Sequence, residues 1–471
     1  MQADTIAGIA SGMGGGGIGI IRVSGKSSLA SVDKIFFSKK YADSHKNVDF
    51  REWKSSRLQD GESHKVYYGY IVDDGQVIDE VIVLTMKAPN SYTVEDVVEI
   101  DCHGGPFVIK KILEVLMKQG IRMAEPGEFT KRAFLNGRID LSQAEAVMDI
   151  IQSNNDYALK SSVAQLHGNI SEKIKEIREI ILNDVAFIEA ALDDPEHYST
   201  DGFSDKLKIR ILSCREKLQH LYDSSDDGRI ITEGIHTLIV GKPNAGKSSL
   251  MNLILGKERA IVTEIAGTTR DTLEETVNLD GMILRIIDTA GIHNTEDIVE
   301  KIGVDKAIDN VDKVDFIIYV VDSSVPFDKD DEKIIELIKD KSSVVLLNKS
   351  DLEPVLVKEE LQEKIEKDII EFSTKQADSL DKLVEYMRDK FYHGDISFNQ
   401  EIYITNARHK EAIFQSMESL NQVMESIDMN MPEDFYAIDL MQAYQTLGRI
   451  IGETVEDDLV EKIFKEFCMG K

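Results

Sequence analysis

One stretch, TLIVGKPNAGKSSL at residues 237–250, restricts the possible folds of this chain more than any other. Its apolar start predicts a buried strand, and the helix expected after the glycine-rich loop completes the strand–loop–helix setting of a phosphate-binding loop. Glycines let backbone N–H groups surround phosphate oxygens, and the helix N-terminus adds a partial positive charge. Lys247 is expected to reach the outer phosphates, and Ser248 to offer its hydroxyl to Mg²⁺. The alternative is a chance glycine-rich turn.

Composition limits the class of protein. The chain has 471 residues, enough for about three domains. Its net charge of −30 argues against coating nucleic acid through bulk charge, so a nucleic-acid partner would need a local basic face. The three cysteines, Cys102, Cys214 and Cys468, are too far apart for a disulfide framework or a metal site. Without a basic signal-peptide start or a membrane-length apolar run, we expect a cytoplasmic protein with no membrane partner.

Residues 1–120 mix strand and helix signals, which predicts an α+β domain. A helix is expected from Pro106, and residues 33–62 are expected to form a surface loop. The hairpin signal is Asp73-Asp74-Gly75 between two alternating runs. Strands are expected at residues 5–10, 18–23, 66–72, 77–86 and 97–102.

Helical patterns occupy residues 121–230 and return in residues 391–471. From Ile170 to Leu192, apolar residues recur every three or four positions, which predicts one stripe on a long helix that ends before Pro195. Ser142 and Glu145 predict a capping box for an earlier helix. Because an inserted domain enters and leaves at nearby points, the two segments are expected to form one all-α helical-bundle domain.

Residues 231–390 alternate strands with helices, which predicts an inserted α/β P-loop GTPase domain of the Ras-like kind. The acidic turn Asp288-Thr289-Ala290-Gly291 can hold Mg²⁺ through water and turn a glycine amide toward the terminal phosphate. In Asn348-Lys349-Ser350-Asp351, the carboxylate of Asp351 can accept from guanine N1–H and from its exocyclic amine, a donor pair that adenine lacks. Gly267-Thr268-Thr269 lies where a switch loop would offer Thr269 to Mg²⁺. The order of these motifs indicates a GTPase.

The attacking water lacks one usual partner. Many GTPases orient it with a glutamine directly after the acidic turn, but here Ile292 and His293 follow. Asn244, with oxygens from residues 263–268, could hold a monovalent cation where other GTPases use an arginine finger. A hydrogen bond that stabilises the loop explains Asn244 equally well.

A second pattern consists of nine stretches outside these motifs, two of which are long and specific. They are residues 4–7, 19–25, 90–93, 95–99, 103–106, 126–129, 132–138, 143–146 and 467–471. They resemble the tRNA-modification GTPases of the MnmE (also TrmE) family, and the similarity covers nearly the whole chain. The resemblance implies a folate-binding and dimerisation domain at residues 1–120, with the GTPase domain inserted in the helical domain.

The resemblance also implies a reaction. A member of the family would be a K⁺-dependent GTPase that acts with an MnmG-type FAD-binding protein, in a heterotetramer, on the wobble uridine of certain tRNAs. It would add a carboxymethylaminomethyl or aminomethyl group to C5, with 5-formyl- or methylene-tetrahydrofolate supplying the one-carbon unit. GTP hydrolysis would drive dimerisation of the GTPase domains of a homodimer and a conformational change.

Residue roles carry over by motif position. Folate contacts fall on Arg22, Glu99, Arg138 and Lys471, for which surface ion pairs are the alternative. Catalytic roles fall on Glu300, Lys247 and Arg270, with Glu300 orienting water indirectly. K⁺ ligands fall on Asn244, Thr263, Ile265 and Thr268, and Mg²⁺ ligands on Ser248 and Thr269. The expected GTP-binding residues are Asn244, Ala245, Gly246, Lys247, Ser248, Ser249, Thr263, Glu264, Ile265, Ala266, Gly267, Thr268, Thr269, Asp288, Thr289, Ala290, Gly291, Asn348, Lys349, Ser350 and Asp351.

Two further sequence features each allow more than one interpretation. Ser373-Thr374-Lys375 only approximates the Ser-Ala-Lys loop with which such GTPases contact the base. Cys468 occupies a family position, although a lone cysteine at a helix end is more often a packing residue than a nucleophile. The alternative function is a non-catalytic GTP switch, which would need an appended basic RNA module or an amphipathic membrane helix.

Overall fold

The structure is a computed structural model that describes residues 4–12, 16–40, 58–257, 275–287, 311–391, 403–454, 457–465, 467 and 470. The chain divides into two compact units. The first comprises Met1–Met148, Ser171–Lys175 and Gln445–Lys471, and the second comprises Asp149–Ile170 and Glu176–Tyr444. Among the helices that are described, none combines the length and apolarity needed to cross a membrane.

The first unit contains a seven-stranded sheet. Its strands are β1 (Ile6–Ile9), β2 (Ile18–Ser24), β3 (Phe36–Ser38), β4 (Lys65–Asp73), β5 (Gln76–Met86), β6 (Val97–His103) and β7 (Arg122–Met123). Their order is β3-β4-β5-β6-β2-β1-β7, and only the β1–β7 pair is parallel. The predicted hairpin is confirmed, since β4 and β5 are joined through Asp74 and Gly75, both with positive φ.

Helices α1 (Ser28–Asp33) and α2 (Pro106–Lys118) cover one face of this sheet. Val32, Ile112 and Leu116 are buried against strand residues such as Ile21 and Ile100. α2 begins at Pro106 as predicted, because the missing N–H of proline loses nothing in the first turn.

The prediction of a loop over residues 33–62 is wrong where the structure describes this segment. It contains β3 and a 3₁₀ turn at Leu58–Asp60, and both Phe36 and Leu58 are fully buried. A strand of three residues is too short to produce a readable alternation of apolar and polar positions. Residues 41–57 lie outside the described part of the chain.

Helices α3 (Glu128–Leu135), α4 (Leu141–Gln152) and α14 (Asp457–Lys465) follow further along the chain. The capping box predicted from Ser142 and Glu145 is wrong. Gln143 N donates to Asp140 Oδ1, and Asp140 N donates to Gln143 Oε1, each over 3.0 Å. The reciprocal cap therefore lies two residues earlier, and the Ser142 hydroxyl also donates to Asp140.

The remaining helices of the helical segments include the predicted long one. They are α5 (Asp156–Leu166), α6 (Asn169–Asp193), α7 (Phe203–Glu233), α12 (Ala407–Asp428) and α13 (Glu433–Ile451). The apolar stripe of α6 is buried from Ile170 to Ile188, and the helix ends at Asp193 as predicted. Leu192 is exposed, so the stripe stops before the last turn.

The second unit contains a six-stranded sheet in the order β13-β12-β11-β8-β10-β9, where only the β9–β10 pair is antiparallel. Its strands are β8 (Ile235–Val240), β9 (Glu275–Leu279), β10 (Met282–Ile287), β11 (Phe316–Asp322), β12 (Ser343–Asn348) and β13 (Asp368–Glu371). The helices that flank this sheet are α8 (Lys247–Lys257), α9 (Lys329–Ile338), α10 (Lys358–Gln362) and α11 (Ala377–Phe391).

Both faces of this sheet are buried. Along β11, Ile318 packs in one apolar cluster, whereas Ile317 and Tyr319 pack in another. Alternate residues of a strand point to opposite faces, so helices cover the sheet on two sides. This confirms the predicted α/β fold.

A single residue, Gly234, connects α7 to β8. Its φ is +90°, and a Cβ there would lie 2.7 Å from Ile283 Cγ2, so only glycine fits without strain. Arg229 of α7 donates to both carboxylate oxygens of Asp315, the residue just before β11, over 2.6 and 3.2 Å. The backbone N–H of His236 in β8 donates to the same carboxylate over 2.9 Å.

Candidate functional site

The phosphate-binding loop lies between β8 and α8, as the sequence predicts. Gly241 and Gly246 both have positive φ, at +153° and +107°. A Cβ on Gly246 would lie 2.1 Å from Asn348 Nδ2, and one on Gly241 would lie 2.4 Å from the carbonyl oxygen of Val320. Glycine is therefore required at both positions for the loop to approach its neighbours.

The side chain of Lys247 folds back over this loop. Its Nζ donates to the carbonyl oxygens of Gly241 and Lys242, each over 2.8 Å. Ser248 and Ser249 are exposed in the first turn of α8, and Asn244 is exposed with a φ of +61°. The loop therefore presents an ammonium group and hydroxyl groups at a helix N-terminus, a combination suited to phosphate and a hard cation.

Asn348 ties the end of β12 to the loop. Its side chain is buried, and Nδ2 donates to the carbonyl oxygen of Ala245 over 2.7 Å. Its Oδ1 has no hydrogen-bond partner within the described parts of the chain. A buried acceptor without a partner is unfavourable, so this oxygen is available to a donor that the site receives.

Asp351 follows three residues later, and its carboxylate faces Ser373 and Lys375. Lys375 Nζ lies 2.8 Å from Oδ2, and the Ser373 hydroxyl donates to Oδ1 over 2.7 Å. The hydrogen bond from Lys375, followed by the one from Ser373, holds the pKa of Asp351 below its usual value. The structure thus brings the approximate Ser-Thr-Lys loop to the predicted guanine-reading carboxylate.

The other residues predicted for the nucleotide site lie outside the described part of the chain. They are Thr263, Glu264, Ile265, Ala266, Gly267, Thr268, Thr269, Arg270, Asp288, Thr289, Ala290, Gly291 and Glu300. Cys468 and Lys471, near the C-terminus, are outside it as well.

A second group of predicted residues meets in the first unit. Arg22 and Glu99 are opposite each other in β2 and β6, and Arg22 Nε donates to Glu99 Oε1 over 2.8 Å. The guanidinium carbons of Arg22 and Arg138 lie 5.1 and 4.5 Å from the ring centroid of Tyr92. The structure thus brings together Arg22, Glu99 and Arg138, which lie far apart in sequence.

Tyr92 was missed as a site residue, although it belongs to a stretch that resembles the family. Its hydroxyl lies 2.9 Å from Thr130 Oγ1, and this hydrogen bond holds the ring near both arginines. The chain end lies beside the same strands. The Cα of Gly470 is 3.4 Å from where a Cβ on Gly8 would lie, and Gly8 is the register partner of Arg22.

A buried charge network supports this region. Arg132 donates to Glu95 over 3.0 Å and to Glu128 over 2.9 Å, and Arg122 also donates to Glu128 over 2.7 Å. Burial alone would raise the pKa of Glu128, but the hydrogen bonds from Arg122 and Arg132 outweigh it and hold the pKa below its usual value. Glu128 therefore remains ionised inside the fold.

The class is defined by a mainly parallel sheet with a glycine-bounded phosphate loop after β8, and by Asn348 and Asp351 at and just after the end of β12 in the same sheet: this is a P-loop GTPase. Models of two families match this chain, the "GTP-binding protein TrmE N-terminus" over residues 5–138 and the "MnmE helical domain" over residues 141–468. The chain belongs to the tRNA modification GTPase MnmE family.

Curated relatives are similar to this chain along its full length. The chain is 55% identical to the tRNA modification GTPase MnmE of Lachnoclostridium phytofermentans, over 100% of both chains. It is 44% identical to the protein of that name from Clostridioides difficile, over 99% of both. A solved structure of Era from Aquifex aeolicus is 27% identical over 40% of this chain and 67% of that one, with a TM-score of 0.26. Because the chain belongs to the family of these full-length relatives, the enzyme is the correct one of the two functions considered from sequence.

Proposed function

We propose that this chain is a K⁺-dependent GTPase that acts with an MnmG-type FAD protein on the wobble uridine of certain tRNAs. It would add an aminomethyl or carboxymethylaminomethyl group to C5 of the uracil ring. A reduced folate, 5-formyl- or methylene-tetrahydrofolate, would supply the one-carbon unit. The observation that carries this proposal is that Arg22, Glu99 and Arg138 meet around Tyr92 in a chain that also contains a GTPase site.

At the nucleotide site, we assign phosphate binding to the loop and to Lys247. The ammonium group now held by two loop carbonyls can turn to phosphate oxygens when they arrive. Asp351 would accept from guanine N1–H and the exocyclic amine, with Ser373 and Lys375 keeping its carboxylate ionised and oriented. Asn348 would hold the base site and the phosphate loop at a fixed distance.

Two cations are part of the proposal. The exposed hydroxyl of Ser248 fits Mg²⁺, which prefers hard oxygen ligands shared with phosphate. The exposed, left-handed Asn244 can offer its side-chain oxygen to K⁺. We assign the remaining ligands by family position, to Thr269 for Mg²⁺ and to Thr263, Ile265 and Thr268 for K⁺. Bound there, K⁺ would supply positive charge to the developing transition state.

The water-orienting role is assigned to Glu300 and a supporting role to Arg270, both by family position alone. Hydrolysis would act as a gate, since closure of two GTPase domains can rearrange the helical body while the carbon chemistry takes place elsewhere.

The folate contacts are argued from charge and ring chemistry. A pterin has an amide-like edge whose donors a carboxylate such as Glu99 can accept, and its glutamate tail carries carboxylates that suit Arg22 or Arg138. The Tyr92 ring provides an aromatic surface between the two guanidinium groups. Lys471, one residue beyond Gly470, would complete the site from the chain end.

We propose a homodimer built on the first unit. Helices cover one face of its sheet, whereas the other face exposes Val66, Tyr68 and Ile82, with Val66 61% exposed. An apolar patch of this kind is unfavourable in water and suits a self-complementary interface. The further partners would be tRNA and the FAD protein, in the cytoplasm. The proposed domains are residues 1–120, residues 121–230 with 391–471, and the inserted GTPase domain at 231–390.

The reaction is tested by nucleoside analysis of tRNA from cells that lack this protein. We expect unmodified wobble uridine in the affected tRNAs, and normal wobble uridine would overturn the assignment. Calorimetry of 5-formyl-tetrahydrofolate on the full chain tests the folate site, where no measurable heat is the contrary result. Replacing K⁺ by Na⁺ tests the cation, because unchanged GTP turnover would remove K⁺ from the mechanism.

A further inference from the structure

Asp322 and Lys349 form an ion pair where β11 and β12 of the six-stranded sheet end. Asp322 ends β11 and is the register partner of Asn348, which ends β12. Lys349 Nζ donates to Asp322 Oδ2 over 2.5 Å, and only 8% of the Asp322 side chain is exposed. The backbone N–H and the hydroxyl of Ser324 donate to Oδ1 of the same carboxylate, over 2.9 and 2.6 Å. Both oxygens of Asp322 are therefore engaged.

The backbone of Lys349 is fixed as well. Its φ is +63°, in the left-handed region that non-glycine residues rarely occupy. The residue before it, Asn348, is tied to the phosphate loop, and the N–H of Leu352 donates to the Lys349 carbonyl over 2.9 Å. Because the backbone and the ammonium group are both held, the alkyl stem between them has a restricted course.

In sequence, Lys349 lies between two parts of the proposed base site. Lys349 directly follows Asn348, which holds the loop, and precedes by two positions Asp351, which would accept from the edge of guanine. A lysine stem is apolar and can cover a flat ring when its ammonium group is satisfied elsewhere. Asp322 provides that partner. Because its carboxylate is buried, it is unfavourable without a matching cation.

We propose that Asp322 is a positioning residue for guanine-nucleotide binding, which fixes Lys349 so that its alkyl stem covers the base while Asp351 reads the edge. The inference rests on the proposed guanine site. Affinity for the base then depends on the carboxylate of Asp322, which does not itself touch the nucleotide. Without Asp322, the ammonium group turns to water or to phosphate, and the stem leaves the base.

The test compares the full-length wild-type chain with Asp322→Asn, Lys349→Met and the double variant. KM and kcat are measured for GTP and for ITP, whose base lacks the exocyclic amine. We expect Asp322→Asn to raise KM for both nucleotides by about tenfold, the loss of one charged hydrogen bond, with kcat within about twofold. The GTP-to-ITP ratio stays unchanged because Asp351 sets it. The double variant is no weaker than Lys349→Met alone.

Asp315→Asn is the matched control, since Asp315 lies at the opposite end of β11 and also forms an ion pair, with Arg229. It should lower the melting temperature but leave KM unchanged. If Asp322→Asn behaves in the same way, Asp322 is only structural and the inference is overturned. If Asp322→Asn does not fold, Ser324→Ala decides, because it loosens the same carboxylate more mildly. An unchanged KM in that variant overturns the inference.

Failure of the underlying site gives a different pattern. If Lys349→Met and Asp351→Ala both leave the KM for GTP unchanged, the guanine site itself is misplaced, and the role of Asp322 falls with it. If those two variants weaken binding and Asp322→Asn does not, only the role of Asp322 is wrong.

Discussion

The two candidate sites of this chain are assembled in opposite ways. In the nucleotide site, Gly246, Lys247 and Ser248 are consecutive, and Asn348 is joined to the same loop by one hydrogen bond to its backbone. In the first unit, Arg22 and Arg138 come from distant segments and meet at one aromatic ring. The first site is built from backbone geometry, and the second from side chains that a whole sheet must align.

This difference determines how each site should respond to mutation. A loop that is fixed by glycine conformations and backbone hydrogen bonds keeps its shape when one side chain is removed. Only the chemical role of that side chain is then lost. A cluster held by rings and ion pairs loses its arrangement when its central member is removed. The two sites should also be independent, so a variant of one site should leave the ligand of the other site unaffected.

Lys247→Ala is expected to have the largest effect. It removes the ammonium group that would neutralise phosphate charge in the transition state, while Gly241 and Gly246 still shape the loop. We expect GTP turnover to fall by about a thousandfold, with unchanged calorimetric affinity for 5-formyl-tetrahydrofolate. A matched control is Lys333→Ala, which removes an exposed lysine of α9. A fall in folate affinity would contradict the independence of the two sites.

Asp351→Asn should change which base is bound. An amide can donate where a carboxylate can only accept, so guanine loses one partner while xanthine, with a carbonyl in place of the exocyclic amine, gains one. We expect the KM for GTP to rise by about a hundredfold, and XTP to become the better substrate. Steady-state kinetics with both nucleotides measure this. A variant that still prefers GTP would exclude Asp351 as the reader of the base.

Tyr92→Ala tests the second site in the same way. Removing the ring takes away the surface shared by Arg22 and Arg138, and we expect folate affinity to fall by about tenfold. GTP turnover should not change. Phe107→Ala is the control, because it removes an exposed aromatic residue from α2 of the same unit. Equal folate losses in the two variants would mean that Tyr92 is not specific to the site.

The smallest effect concerns a charge network with no proposed ligand. Burial alone would raise the pKa of Asp315, but hydrogen bonds from His236 and Arg229 outweigh it and hold the pKa well below its usual range. Because the folded-state pKa is depressed, this stabilisation is present above the unfolded-state pKa of about 4 and is lost as the pH falls below it.

Chemical denaturation of Asp315→Asn and of the wild type measures this difference. We expect the variant to be about 1 kcal/mol less stable at pH 7, with the gap closing below about pH 4. A gap that does not depend on pH would show that the loss comes from packing. KM for GTP should remain at its wild-type value, in contrast to variants of the nucleotide site.

The sequence predicted the nucleotide loop because its residues are adjacent and each has a chemical reason at its position. It also predicted Asp351, since the carboxylate follows an apolar strand. Asp322 was not predicted, because a lone aspartate at a strand end has no motif, and only the register with Asn348 reveals its place.

For the first unit, no local spacing links Arg22 to Arg138, so their meeting could be predicted only from a family resemblance. Tyr92 was overlooked for the same reason, since an aromatic residue in a polar loop has no distinctive pattern. The missed strand β3 and the shifted helix cap at Asp140 are smaller errors. In each of them, tertiary packing selected one of several local possibilities that the sequence allowed.

We propose that two separate sites in one chain serve a single modification of tRNA. Cells lacking the protein can be complemented with the wild type, with Lys247→Ala or with Tyr92→Ala, and the wobble uridines of their tRNA quantified by mass spectrometry. We predict that the wild type restores the modified nucleoside, that Lys247→Ala restores none, and that Tyr92→Ala restores it only when reduced folate is abundant. Full restoration by Lys247→Ala would contradict the account.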